Sequence, residues 1–250
     1  MNSGPCPYLP PFPPLLPSFL QLLSQTSPLS ACKMGLLQLA ATVLALGSSV
    51  QAAPAHEIAP RQASVKYCDP VSTICYSEWI SPERIAFRTA IPENATATAD
   101  FDVLVQLQAP KSVGWAGIAW GGTMVNNPLT VAWANAATVV VSSRRATART
   151  YPQPWTGATY TVLGGTVANS THWTVNFLAK GVSNLGTSRL NPSSTTASIA
   201  YAQSNQGPSS PSDPASRFGI HNTRGKFSHN LALGKISNFR AAVAQLASEA

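Results

Sequence analysis

The stretch Gly121-Gly122-Thr123-Met124-Val125-Asn126-Asn127 carries the only methionine beyond Met34. Much later comes Phe218-Gly219-Ile220-His221-Asn222-Thr223-Arg224-Gly225, where a histidine also stands among glycines. A thioether is a soft, uncharged donor that favours ferrous iron and raises its potential; an imidazole is the stronger nitrogen donor. Set on opposite sides of an iron porphyrin, the two would fill both axial positions and leave none for substrate or oxygen. Outer-sphere transfer of single electrons is the chemistry such a centre performs. Gly121 and Gly122 would let the backbone turn close against a flat ring, and Gly225 could do likewise.

Each residue has a plainer reading. A lone methionine usually fills a gap in a loop or core, and most histidines ligate nothing. His172 and His229 compete with His221. His172 opens an apolar run beside a sequon, which favours a structural or exposed role. His229 follows Phe227-Ser228 with its facing open, and is the substitute ligand if His221 fails. No Cys-x-x-Cys-His occurs, so covalent c-type attachment is not expected.

The elements that must position these donors read as strands. Phe101-Asp102-Val103-Leu104-Val105-Gln106-Leu107 has the alternation of a half-buried strand. Similar runs occur at 85–89, 113–120, 129–134, 138–142, 159–163, 173–178 and 197–202, separated by Pro, Asn and Gly breakers. Short strands punctuated by turns imply an all-β fold, an antiparallel β-sandwich. The proline-rich segment 207–214 reads as a surface loop. Residues 236–249 place Ile236, Phe239, Val243 and Leu246 at helical spacing, a short C-terminal amphipathic helix.

The 250-residue chain opens with what reads as targeting sequence. Residues 34–52 combine Lys33-Met34 at their start, an apolar core and a small-residue end, the form of a secretory signal too short to span a bilayer. Residues 1–33 sit awkwardly before that signal and read as a gene-model extension, and 53–64 as a pro-region or linker. Residues 65–235 would then form the sandwich domain, with 236–250 as helix and tail. A secreted, extracellular product is expected, with sequons at Asn94 and Asn169 as candidate glycosylation sites. Cys68 and Cys75, around a proline-containing turn in an oxidising compartment, should form one local disulfide. Its stabilisation should sit near the low end of ~2–4 kcal/mol, because the loop is short. The net charge of +7 comes from scattered basic residues with one cluster at Arg144, Arg145 and Arg149. No basic stripe interleaved with aromatics supports nucleic-acid binding. The charge is either a solubilising surface or a patch facing an acidic partner or haem propionates.

From about Ser112 to Phe227 the chain resembles the haem-b cytochrome domain of cellobiose dehydrogenase, a fungal extracellular flavocytochrome. The likeness is carried in order by Gly114-Trp115-Ala116-Gly117-Ile118-Ala119-Trp120-Gly121-Gly122-Thr123-Met124, Val131-Ala132-Trp133-Ala134-Asn135, Ser142-Ser143-Arg144, Asn169-Ser170-Thr171-His172-Trp173, and Pro211-Ser212-Asp213-Pro214 ahead of Phe218-x-x-His221. The resemblance implies a β-sandwich related to dopamine-β-monooxygenase N-terminal (DOMON) modules. It implies haem b held by Met124 and His221, with Gly122 at the turn. It also brings the Arg144, Arg149 and Tyr151 loop towards the haem edge, where Arg or Tyr could meet a propionate. Electrons would pass from a flavin dehydrogenase to an acceptor such as a copper-dependent lytic polysaccharide monooxygenase. No Gly-x-Gly-x-x-Gly opening a βαβ unit occurs in the chain, so no flavin domain of its own is expected.

Two rivals remain open. Cleavage after Ala55 would free His56 at the N-terminus, as a copper histidine brace requires, although cleavage after Ala52 fits the apolar core better. A haem-free carbohydrate-binding sandwich is the other, and it would be colourless. Serine or carboxylate hydrolase chemistry finds no support, as no Gly-x-Ser-x-Gly elbow occurs and acids are few.

Overall fold

The computed structural model describes residues 63–250. The extension, the signal, His56 and most of the pro-region lie outside the described residues. The chain opens with β1 (Val65–Cys68), β2 (Cys75–Ile80), β3 (Ala86–Pro92) and β4 (Val103–Pro110). Next come β5 (Trp115–Trp120), β6 (Leu129–Asn135), β7 (Thr138–Arg145), β8 (Gln153–Pro154), β9 (Thr159–Ala168) and β10 (His172–Lys180). It closes with β11 (Ala197–Ser204), β12 (Thr223–His229), β13 (Lys235–Ile236) and the helix α1 (Phe239–Ser248).

The strands form two sheets. The first has the order β1-β2-β3-β4-β10-β9, with β13 joined to β3; the second has the order β12-β11-β5-β6-β7-β8. All pairings are antiparallel except that of β13 with β3. The two inner faces share one core, in which Trp79 of the first sheet stacks on Phe227 of the second at 3.9 Å between ring centres. This is the expected sandwich. Cys68 lies directly across from Cys75 in the β1–β2 ladder, and the two form a disulfide. Helix α1 covers part of the first sheet's outer face, where Phe239, Ala242 and Leu246 meet Tyr76, Leu104 and Leu163. It starts later than the periodicity implies, because Lys235 and Ile236 are drawn into a ladder with Ile91 and Pro92. No helix among the described residues is long and apolar enough to cross a membrane.

The facing of His229 is settled by the same alternation. It points inward with Phe227 and is 1 % exposed, its ring nitrogens 2.8 Å from the Thr89 hydroxyl and 3.0 Å from the Ser64 hydroxyl. It is therefore closed off from the outer face and is not a substitute ligand. Burial pulls its pKa down to about 4. In the unfolded chain the ring protonates near pH ~6.5, so the unfolded state binds the extra proton between those values. Stability is present above that upper value and is lost as pH falls towards 4, by about 3 kcal/mol in full. Urea unfolding at pH 7 and at pH 4.5 should show much of this loss, and His229→Gln should flatten the difference between the two pH values.

Candidate functional site on the outer face of the second sheet

Side chains alternate across a strand, so the ladder registers dictate what lines the outer face of the second sheet. Arg224 pairs with Ala202, Ala202 with Gly117, and Gly117 with Val131. One step along, Lys226 pairs with Ala200, Ala200 with Ala119, and Ala119 with Leu129. Gly117, Ala119, Ala200 and Ala202 thus form a shallow floor of small residues between taller neighbours. Two small apolar clusters separate from the main core bound it. At one end Trp115, Val131 and Trp133 gather with Phe218 and Ala202; at the other, Ala119, Leu129 and Ala146 gather with Met124 and Ala200. Trp120 turns the other way, into the core, so of Trp115, Trp120 and Trp133 only the first and last flank the face.

Met124 lies in the β5–β6 turn. Gly121 and Gly122 both have positive φ, 97° and 81°, as that turn requires. Gly122 is pressed against β11: a Cβ there would collide with the Ser198 hydroxyl. The side-chain amide of Asn127 donates to the Thr123 carbonyl at 3.0 Å and hydroxyl at 2.7 Å, and Val125 bridges to Ala146. The turn is therefore braced on both sides of Met124.

His221 precedes β12 at the opposite end. The Asn222 N–H donates to the Gln203 carbonyl, while Asn205 N–H and the Ser204 hydroxyl donate to Asn222 Oδ1. Ser204 pairs with Trp115, which sets His221 at the Trp115 end of the floor. Met124 packs at the Ala119 end, so the two donors' anchor points are on the order of 13 Å apart along the strands. His221 is half-buried and its ring makes no hydrogen bond to the described residues.

Gly225 differs from expectation. It faces inward, and a Cβ there would lie 2.6 Å from the Tyr201 ring, so its missing side chain makes room for Tyr201 and not for an outer-face ligand.

Arg144 also has an occupation that its type alone did not reveal. It is fully buried, and every N–H of its guanidinium is engaged by protein. Nε donates to the Ser142 hydroxyl at 2.6 Å. Nη1 donates to the Tyr151 hydroxyl and the Pro152 carbonyl, and Nη2 to the carbonyls of Pro214 at 2.8 Å and Ser216 at 2.7 Å. Burial lowers its pKa from the ordinary value, yet a guanidinium stays charged. The Tyr151 hydroxyl donates to the Ser216 carbonyl and accepts from Phe218 N–H. Arg144 and Tyr151 together clamp segment 208–218, which leads into Phe218 and His221, onto β7. The expected propionate contact from Arg144 thus finds its donors already spent. Arg149 lies in an exposed turn with no partner among the described residues. Asn94 and Asn169 are both exposed, and Asn169 Oδ1 accepts from Thr171 and His172 N–H.

Among the described residues no group of three or more His, Cys, Asp or Glu is placed to hold a bare metal ion. The class defined by two such sheets around one core is an antiparallel β-sandwich domain. Residues 67–241 match the family model described as the cytochrome domain of cellobiose dehydrogenase, and the chain belongs to that family. It is 25% identical over 169 residues to a pyrroloquinoline quinone-dependent pyranose dehydrogenase of Coprinopsis cinerea, covering 66% of this chain and 23% of that protein. Its fold matches the crystal structure of the cytochrome b domain of the Coprinopsis cinerea pyranose dehydrogenase, with TM-score 0.67 and 24% identity over 74% of this chain and 96% of that one. It also matches the cytochrome domain of Myriococcum thermophilum cellobiose dehydrogenase, with TM-score 0.65 and 26% identity over 74% and 97% of the two chains.

Proposed function

We propose that this chain is a secreted haem b cytochrome domain that carries single electrons, with Met124 and His221 as the axial iron ligands. One observation carries the reading: a row of small residues, half-exposed at Ala200 and Ala202 and covered by the Trp115 ring at Gly117, lies between a braced methionine and a histidine whose ring has no partner among the described residues. The residues fit the group. Gly117, Ala119, Ala200 and Ala202 keep side-chain volume low along this row, where larger residues would bar a flat macrocycle from seating between Met124 and His221. The donor set is one soft sulfur and one imidazole, which suits haem iron and not a hard cation. The indole N–H of Trp115 is buried without an acceptor, an unsatisfied donor that calls for a partner.

Bound there, haem supplies a reversible ferric–ferrous couple. The protein's part is to hold it. The Gly121-Gly122 turn presents Met124, the Arg144–Tyr151 clamp presents the segment carrying Phe218 and His221, and Trp115, Trp133 and Leu129 keep water from the flanks. Arg149 remains free to meet an anionic edge. The proposed donor is a flavin or quinone sugar dehydrogenase, and the proposed acceptor is a copper-dependent polysaccharide monooxygenase. Export fits the disulfide and the exposed sequons at Asn94 and Asn169.

Haem titration of the purified protein tests this. One haem per chain is expected, and Ala200→Phe/Ala202→Phe should weaken uptake by ~tenfold or more through overfilling the floor. These positions face outward, so the core is untouched. Equal uptake by both proteins, or none by either, would reject the floor as the site; the latter is what a haem-free carbohydrate-binding sandwich predicts.

A further inference from the structure

The edge strand β12 places cations beside the floor. Arg224 stands next to Ala202 and Lys226 next to Ala200, both exposed and both on the outer side. Arg217 is exposed in the segment leading to His221, its guanidinium 5.4 Å from the Tyr151 ring. None of the three is ion-paired among the described residues. The acids that do pair lie elsewhere: Asp100 with Arg189 and Asp102 with Lys180 at the β3–β4 loop, and Glu78 with Arg88 on the first sheet. Asp213 is the one acid in the segments bordering the floor; it turns back to accept from Ala215 N–H. Glu83 reaches Tyr201 from the inner side of β11.

We infer that this outer face is a docking surface for an acidic protein partner, with Arg224, Lys226 and Arg217 as its positive rim. Unpaired like charges on one face repel each other and lower stability slightly, unless an oppositely charged surface arrives. The same charges steer such a partner in, raising association rates without needing a buried contact. Cations on an edge strand also discourage edge-to-edge pairing, but that role needs no clustering beside the small-residue floor and no contribution from a loop. The inference rests on the cytochrome reading only for what the partner exchanges; the charge pattern is a property of the chain.

Poly-glutamate is the probe. Arg224→Glu/Lys226→Glu is compared with Lys66→Glu/Lys111→Glu, which changes net charge equally at exposed sites on or beside the first sheet. At low ionic strength the rim pair should weaken poly-glutamate binding ~tenfold or more, with the control pair little changed and the contrast fading as salt rises. In the haem-loaded protein, oxidation of the reduced form by ferricyanide should slow in the same order, with the absorption spectrum unaltered. Equal losses in the two pairs would reduce the effect to net charge and overturn the proposal. Weakened haem uptake with unchanged poly-glutamate binding would assign the cations to the cofactor and overturn it too. If the wild type takes up no haem, the cytochrome reading fails while the poly-glutamate comparison still decides this one.

Discussion

Replacing His221 with alanine is expected to convert a low-spin, six-coordinate haem into a high-spin, five-coordinate one and to weaken its retention about a hundredfold. The magnitude follows from the site's economy. In the proposed site Gly117, Ala119, Ala200 and Ala202 would offer apolar contact but little grip, so the two iron bonds would carry much of the holding. Among the described residues no other imidazole can step in: His229 is sealed inside the sandwich between Thr89 and Ser64, and His172 lies exposed at the start of β10 on the first sheet. Met124→Leu keeps the volume and removes the sulfur. It should also give high-spin iron, and a lower potential, because the ferrous state loses its soft ligand. Near-ultraviolet and visible absorption with low-temperature electron paramagnetic resonance would measure both. An unchanged low-spin spectrum in the two variants would exclude the pair.

The second large effect is expected at Arg144. Arg144→Met preserves bulk but strips a hydrogen bond each from the Ser142 and Tyr151 hydroxyls and the carbonyls of Pro152, Pro214 and Ser216. Some of those acceptors would reach water once the segment loosens, so the penalties do not add. A loss of about 3 kcal/mol or more is expected, because buried acceptors left unmatched cost roughly 1–3 kcal/mol each. Arg144→Lys should recover little of it, since an ammonium cannot reproduce the planar fork. Urea unfolding gives the stability. Tryptic cleavage after Arg217, which is already exposed, should accelerate in both variants as segment 208–218 comes off β7. A change below about 1 kcal/mol in Arg144→Met would mean that the segment is held by Trp133, Ser142, Tyr151 and Phe218 without the guanidinium.

Alternation was readable wherever strands were long and apolar, as in Val103–Pro110 and Leu129–Asn135. It failed for β1 and β2, where Lys66, Ser77 and Glu78 interrupt the pattern. Glu78 is buried there because Arg88 from the neighbouring strand pairs with it at 2.7 Å, a partnership only the folded ladder supplies. Met124 and His221 could be singled out from their glycine settings, and Gly121 and Gly122 do adopt the backbone that only glycine takes readily. The floor was harder. Gly117 with Ala119, and Ala200 with Ala202, repeat small residues at strand spacing, yet such pairs are common, and their meaning appears only when the register sets them side by side. The resemblance puts Arg144 near the haem edge, as a propionate contact or in a solvated loop; its burial depends on the carbonyls of Pro152, Pro214 and Ser216, which no local pattern discloses.

The most direct measurement is the absorption spectrum of the purified protein, oxidised and then dithionite-reduced. A red protein with a sharp Soret band that shifts on reduction, and with resolved low-spin ferrous bands, is the predicted result. A colourless protein that stays so after incubation with haem would contradict the account.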